Sequence, residues 1–125
     1  KLTGIGDLIL PPEDEVYNES VFHLYVLRTK KRNLLGIWLS KNGISTGVHY
    51  PIPVHRQPAY QKFAGNHLAF TEEWSKTVIS IPMYPNLDSN DQEYIINLVT
   101  RFYDERLYEQ KDLKNEEKEW SNKLI

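Results

Sequence analysis

A proline-rich run that carries two histidines constrains this chain more than any other segment. Residues 47–60 read Gly-Val-His-Tyr-Pro-Ile-Pro-Val-His-Arg-Gln-Pro-Ala-Tyr. Because proline fixes φ and biases the residue before it toward extended geometry, the segment from Tyr50 to Val54 is predicted to be stiff and nearly extended. Two prolines separate His49 from His55. The run is therefore predicted to present two imidazoles at a set distance, which a simple connection would not require.

Composition narrows the possible functions. The chain has 125 residues, of which 40% are hydrophobic, so it suits one domain with a core of its own. A formal charge of −2 gives no case for nucleic acid or an anionic membrane as partner. The absence of cysteine excludes disulfides and thiolate catalysis, and no apolar run approaches the ~20 residues of a membrane span. The first residues show no signal-peptide pattern and no initiating methionine, and they read as a chain cut from something longer.

Hydrophobic patterning predicts an α+β fold. The segments 21–27, 44–50 and 78–81 are rich in β-branched and aromatic residues and are predicted to be strands. Helical patterns lie between and after them. The predicted architecture is a small, largely antiparallel sheet of about three strands with helices packed on one face.

Three helices have recognisable ends. The first carries leucines and a tryptophan at helical spacing and ends before Gly43, which suits a left-handed C-cap. Thr71 is the predicted N-cap of the second helix. Ser89 and Gln92 form a capping box that predicts the start of the third.

The end of the chain differs in composition. Residues 104–125 contain seven acidic and five basic side chains. Mixed charge at this density predicts a solvated extension that is helical or frayed. The predicted organisation is therefore one domain over residues 1–103, followed by a charged extension over residues 104–125.

Several segments together resemble one known family. The segments similar to the C-terminal part of the DegT/DnrJ/StrS sugar aminotransferases are residues 22–28, the helix end at residues 42–44, and residues 47–60 and 80–85. The His-Tyr-Pro-x-Pro-x-His element at residues 49–55 is the most specific piece, and the resemblance covers roughly residues 8–103. It implies the small domain of a fold-type I enzyme that depends on pyridoxal 5′-phosphate.

The resemblance also implies a reaction. Family members move an amino group, usually from glutamate, to a keto group on a nucleotide-linked sugar, in polysaccharide or deoxysugar biosynthesis, and the cofactor serves as the electron sink. The lysine that forms the Schiff base lies in the family's large N-terminal domain, which this chain does not match. The fragment is therefore expected to bind no cofactor and to be inactive alone. The implied full-length protein is a cytoplasmic homodimer, and its own large domain is the partner of this one.

The resemblance assigns site residues by position. It places His49, Tyr50 and His55 on the substrate side of the cleft, and it assigns no catalytic, cofactor-binding or metal-binding residue to this fragment. An imidazole can form a hydrogen bond with a sugar hydroxyl or a phosphate oxygen, and a tyrosine can stack or donate.

Other candidate residues have simpler interpretations. His23, inside an apolar run, is predicted to be a core histidine, and His67 is predicted to be solvated. A zinc site is disfavoured because the six-residue spacing of the other two histidines does not match zinc-ligand patterns. Trp38 and Trp74 are predicted to lie in the core, where burial of each is worth about 2–3 kcal/mol.

Two other classes of function remain open on the sequence. One is a non-catalytic domain that binds a sugar nucleotide or regulates a partner. The other is a structural interaction module in which the charged extension makes the contacts.

Overall fold

The computed structural model describes residues 1–63, 65 and 68–124. Its strands and α-helices are β1 (Tyr25–Arg28), α1 (Arg32–Lys41), α2 (Ala69–Thr77), β2 (Val78–Ile81), α3 (Ser89–Asp104) and α4 (Lys111–Asn122). Short 3₁₀ segments occur at Val54–Arg56, Pro58–Phe63 and Leu107–Glu109. The predicted α+β class is confirmed. Within the described residues, no helix has the length and apolar character needed to cross a membrane.

The sheet consists of β1 and β2, which pair antiparallel with Tyr25 opposite Ile81. Leu27 lies opposite Ile79, and both side chains are fully buried. Because side chains alternate along a strand, this pair faces the helices while the neighbouring positions face the other side of the sheet. One face therefore supports the core, and the other is available for a surface site.

The predicted third strand, residues 44–50, is wrong in extent, since only Gly47 pairs with β2. Its N–H and C=O bond to the backbone of Ser80 at N···O distances of 3.0 and 2.7 Å. The N–H of Ile44 instead donates to a carbonyl in the last turn of α1, and Pro51 has no N–H to offer. Both ends of the predicted strand are thus unable to extend the ladder.

Strand β1 begins later than the apolar pattern predicted. Phe22 has a φ of +43°, in the left-handed region, and the regular strand starts only at Tyr25. His23 is consequently exposed, so its prediction as a core histidine is wrong. The prediction for His67 falls outside the described residues.

The core lies between the sheet and the helices α1, α3 and α4. Its fully buried side chains are Phe102, Leu27, Leu35, Leu39, Ile79 and Val99. Trp38 packs against this cluster, and its Nε1–H donates to the carbonyl of Leu98 at 2.9 Å. The helical spacing read from the sequence is therefore confirmed for α1 and α3.

The helix starts differ from the predicted caps. Asp88, rather than the predicted capping box, caps α3, and its carboxylate accepts from the backbone N–H groups of Asn90 and Asp91. Helix α2 begins at Ala69, so Thr71 lies inside it and is not its N-cap. Gly43 has the predicted left-handed φ, at +78°.

The charged extension contains a helix that packs against α1. Leu113 of α4 is buried in the core cluster, as is Leu107 just before it. The indole of Trp120 lies against Gly36 of α1, and Asn33 donates to the hydroxyl of Ser121 at 2.9 Å. The domain boundary at residue 103 stays a prediction.

Asp7 ties the N-terminal segment to the sheet and to α3. One carboxylate oxygen accepts from the hydroxyls of Thr29 at 2.7 Å and Tyr103 at 2.9 Å. The other accepts from the backbone N–H of Lys30 at 2.9 Å. Thr29 is almost fully buried, so the network closes this end of the core.

Because of the hydrogen bonds to Asp7, we expect the folded protein to become less stable in acid. Partial burial by itself raises the pKa of Asp7, but the hydrogen bonds from Thr29, Lys30 and Tyr103 outweigh it and hold the pKa below the ordinary 3.8. A carboxyl whose folded pKa is depressed stabilises the fold above its unfolded pKa and loses that contribution as pH falls through the folded value. Urea unfolding below pH about 5 should therefore show a shallower pH dependence for Asp7→Asn than for the wild type. The exposed Asp112→Asn is the matched control, and a wild-type slope in Asp7→Asn would contradict the assignment.

Candidate functional site

The proline-rich run leaves the sheet at Gly47 and crosses the face opposite the core. It bends at Pro51 and Ile52, so the predicted, nearly extended geometry does not hold throughout, and the peptide bond between His49 and Tyr50 is cis. At Val54 it enters a 3₁₀ turn. The local path therefore directs successive side chains to different surroundings.

A groove lies between this run and helix α2. Its walls are formed by His49, Tyr50, Ile52, Pro53, Val54, Phe70, Thr71, Trp74, Ser75 and Val78. Most of these side chains are apolar, and the groove is open to solvent. An apolar cleft with a few polar groups is the usual form of a small-molecule site.

His49 and Tyr50 are both exposed on the groove. The two rings meet edge to face at a centroid distance of 5.6 Å, and the tyrosine is 71% exposed. The Nδ1 atom of His49 lies 3.0 Å from the hydroxyl of Ser80. The imidazole and the phenol can thus reach a ligand together.

His55 occupies a different position. It is only 7% exposed, and its Nε2 lies 3.1 Å from a carboxylate oxygen of Glu72 on α2. The same oxygen accepts from Nη2 of Arg56 at 2.7 Å. The structure therefore brings His49 and Tyr50 together on one surface and buries His55 beside Glu72.

Trp74 is the functional candidate that sequence reasoning misplaced. It is 51% exposed rather than buried in the core, and it forms part of the groove wall. The guanidinium of Arg28 lies 4.5 Å from its ring centroid, and Arg28 also pairs with Glu73 at 3.1 Å. Helical spacing places Trp74 beside apolar neighbours, but nothing in the local sequence shows that Arg28 covers its ring.

The groove can bind a ligand, but its described walls do not supply a covalent anchor for pyridoxal phosphate. Its described walls contain no lysine amine, which the cofactor's Schiff base requires. The imidazole, the phenol and the exposed indole can instead hold a ligand that has both hydroxyl groups and a flat or apolar surface.

Comparison with solved structures defines the class of domain. The Bacillus subtilis NtdA structure with bound cofactor PMP matches with a TM-score of 0.67 and 27% identity, over 82% of this chain and 24% of that one. PMP is the amino form of pyridoxal phosphate. The fold is thus one found in a protein that binds this cofactor.

The family follows from the sequence. The family described as the DegT/DnrJ/EryC1/StrS aminotransferase family matches residues 1–100, and the chain belongs to that family. The resemblance read from the motifs is confirmed.

Relatives differ in their stated roles. A pleiotropic regulatory protein of Geobacillus stearothermophilus is 35% identical over 80% of this chain and 27% of its own length. The dTDP-3-amino-3,4,6-trideoxy-alpha-D-glucose transaminase of Streptomyces venezuelae is 35% identical over 78% of this chain and 25% of its own. The chain spans about a quarter of the length of these relatives.

Proposed function

We propose that this chain is the small domain of a pyridoxal-phosphate-dependent aminotransferase that acts on a keto sugar linked to a nucleotide. Glutamate is the expected amino donor. The family membership and the transaminase relative support this assignment. The cofactor and its lysine would be supplied by the part of the protein outside this chain, because the family's Schiff-base lysine lies in the large N-terminal domain.

The observation that carries the role of this domain is the exposed pair His49 and Tyr50 on an apolar groove. We assign these two side chains to the sugar-nucleotide substrate, with the imidazole as a hydrogen-bond partner and the phenol as a stacking or donating group. Direct contact between His55 and substrate stays a prediction. Its pairing with Glu72 supports an indirect role, in which it fixes α2 against the proline-rich run.

The surface around the groove suits a larger partner. Phe70 is 80% exposed, and Val54 and Trp74 are more than half exposed beside it. Contiguous apolar side chains of this size mark an interaction surface. We assign this surface to the protein's own large domain, which would close the cleft over the groove. Homodimerisation and a cytoplasmic location stay predictions.

Replacing His49 with alanine in the full-length protein tests the assignment. One lost hydrogen bond of about 0.5–1.5 kcal/mol corresponds to a rise in KM for the keto sugar nucleotide of about two- to twelvefold. The visible absorption of bound pyridoxal phosphate should not change, because the cofactor is held elsewhere. Steady-state kinetics and absorption spectra measure the two quantities on the same sample.

His23→Ala is the matched control, since it removes an exposed histidine outside the groove. It should leave KM at the wild-type value. A His49→Ala protein with wild-type KM would contradict the substrate role of the groove.

One observation favours a second candidate function. The Geobacillus relative is named as a regulatory protein, and the exposed apolar surface could serve a protein partner. A non-catalytic sugar-nucleotide-binding or regulatory domain would bind the nucleotide sugar without turnover. The full-length protein would then develop no visible absorption with pyridoxal phosphate.

A further inference from the structure

We propose that Ser80 is a positioning residue for His49, and that it fixes the imidazole tautomer that carries its proton on Nε2. The inference rests on the proposed function of the groove and names the group that His49 offers to substrate. Ser80 lies on β2, is only 5% exposed and does not line the groove itself. It would therefore act through the histidine.

Ser80 and His49 share one side-chain hydrogen bond, whose direction depends on the imidazole tautomer. The Oγ of Ser80 lies 3.0 Å from Nδ1 of His49. Among the described residues, the serine hydroxyl has no other hydrogen-bond partner, and a buried hydroxyl requires an acceptor. The hydroxyl therefore donates to Nδ1. A neutral imidazole that accepts at Nδ1 carries its proton on Nε2.

The imidazole of His49 also packs against the backbone of Gly47. A Cβ at this position would lie 2.4 Å from Cε1 of His49, so the ring occupies space that any other residue would fill. The backbone of Gly47 is bonded to that of Ser80 through both its N–H and its C=O. The β-bridge between Gly47 and Ser80 thus anchors the proline-rich run to the sheet and also positions the imidazole of His49.

This arrangement specifies the chemistry of the ligand. With Nδ1 occupied, His49 presents an N–H donor to the groove. The matching substrate group is a hydrogen-bond acceptor oxygen, from either a sugar hydroxyl or a phosphate. Kinetics of the full-length protein distinguish the two sources. Weaker inhibition of His49→Ala by thymidine diphosphate alone identifies a phosphate oxygen, whereas unchanged inhibition with a raised KM for the whole substrate identifies a sugar oxygen.

The tautomer can be measured directly on this 125-residue chain. Long-range ¹H–¹⁵N correlation spectra at a pH where the imidazole is neutral should show His49 with its proton on Nε2. Ser80→Ala should convert this pattern to a mixture of both tautomers. Gly47→Ala is a second variant with the same expected result, because it displaces the ring from the serine. Ser121→Ala, which removes a partly buried hydroxyl outside the groove that donates to the carbonyl of Glu117, is the matched control and should keep the wild-type pattern.

A proton on Nδ1 in the wild type, or an unchanged tautomer population in Ser80→Ala, would overturn the proposal. In the full-length protein, Ser80→Ala is expected to raise KM by about threefold with a smaller change in kcat, as for one weakened hydrogen bond. The failures are separable. If the tautomer shifts but His49→Ala leaves KM unchanged, the positioning stands and the substrate role of the groove is wrong.

Discussion

Gly6→Ala is expected to lower the free energy of unfolding by about 2–5 kcal/mol. Gly6 has a φ of +53°, where a side chain costs about 1–2 kcal/mol. A Cβ there would also lie 2.0 Å from Cδ1 of Tyr103, and such overpacking costs about 1–3 kcal/mol. The ring of Tyr103 cannot easily move away, because its hydroxyl is bonded to Asp7 and Thr29.

Gly4→Ala is the matched control for this prediction. Gly4 also has a positive φ, at +80°, but a Cβ there would meet no atom within 4 Å. It should therefore show only the backbone cost of about 1–2 kcal/mol. Urea unfolding of both variants measures the difference, and equal losses would show that Tyr103 does not clamp the N-terminal segment.

The parts of the fold that depend on local patterns could be predicted from the sequence. Helices α1 and α3 follow from the spacing of their apolar residues, and the end of α1 follows from Gly43. The third strand could not be predicted in the same way. Whether residues 44–50 extend the sheet depends on the hydrogen-bond partner of the Ile44 N–H. In the structure this N–H donates to the carbonyl of Leu39 in α1, so it is not available to the sheet.

The candidate site, like the fold, could be predicted from the sequence only in part. The motif at residues 49–55 identified the segment that forms one wall of the groove. It could not show that His49 would be exposed while His55 is buried, since that difference depends on Glu72, which lies 17 residues further along the chain. Glu72 lies on α2, an element separate from the motif. Side chains on separate elements meet through tertiary packing, which spacing within one element does not report.

The packing of α4 on α1 leads to a second large effect. Gly36→Leu is expected to lower the free energy of unfolding by about 2 kcal/mol, even though leucine is a better helix former than glycine by about 1 kcal/mol. A Cβ at Gly36 would lie 2.4 Å from Cζ2 of Trp120, so the larger side chain must displace the indole from α1. Overpacking and the lost burial of Trp120 together outweigh the gain in helix propensity.

The sign of this effect should reverse when the indole is absent. In a Trp120→Ala background, Gly36→Leu meets no ring and gains helix propensity, so it is expected to raise stability by about 1 kcal/mol. The double-mutant cycle, measured by urea unfolding, should give a coupling energy of about 3 kcal/mol between the two positions. Additive effects would show that α4 does not dock on α1 through Trp120, and the region after residue 103 would then behave as the solvated extension that its charge pattern predicts.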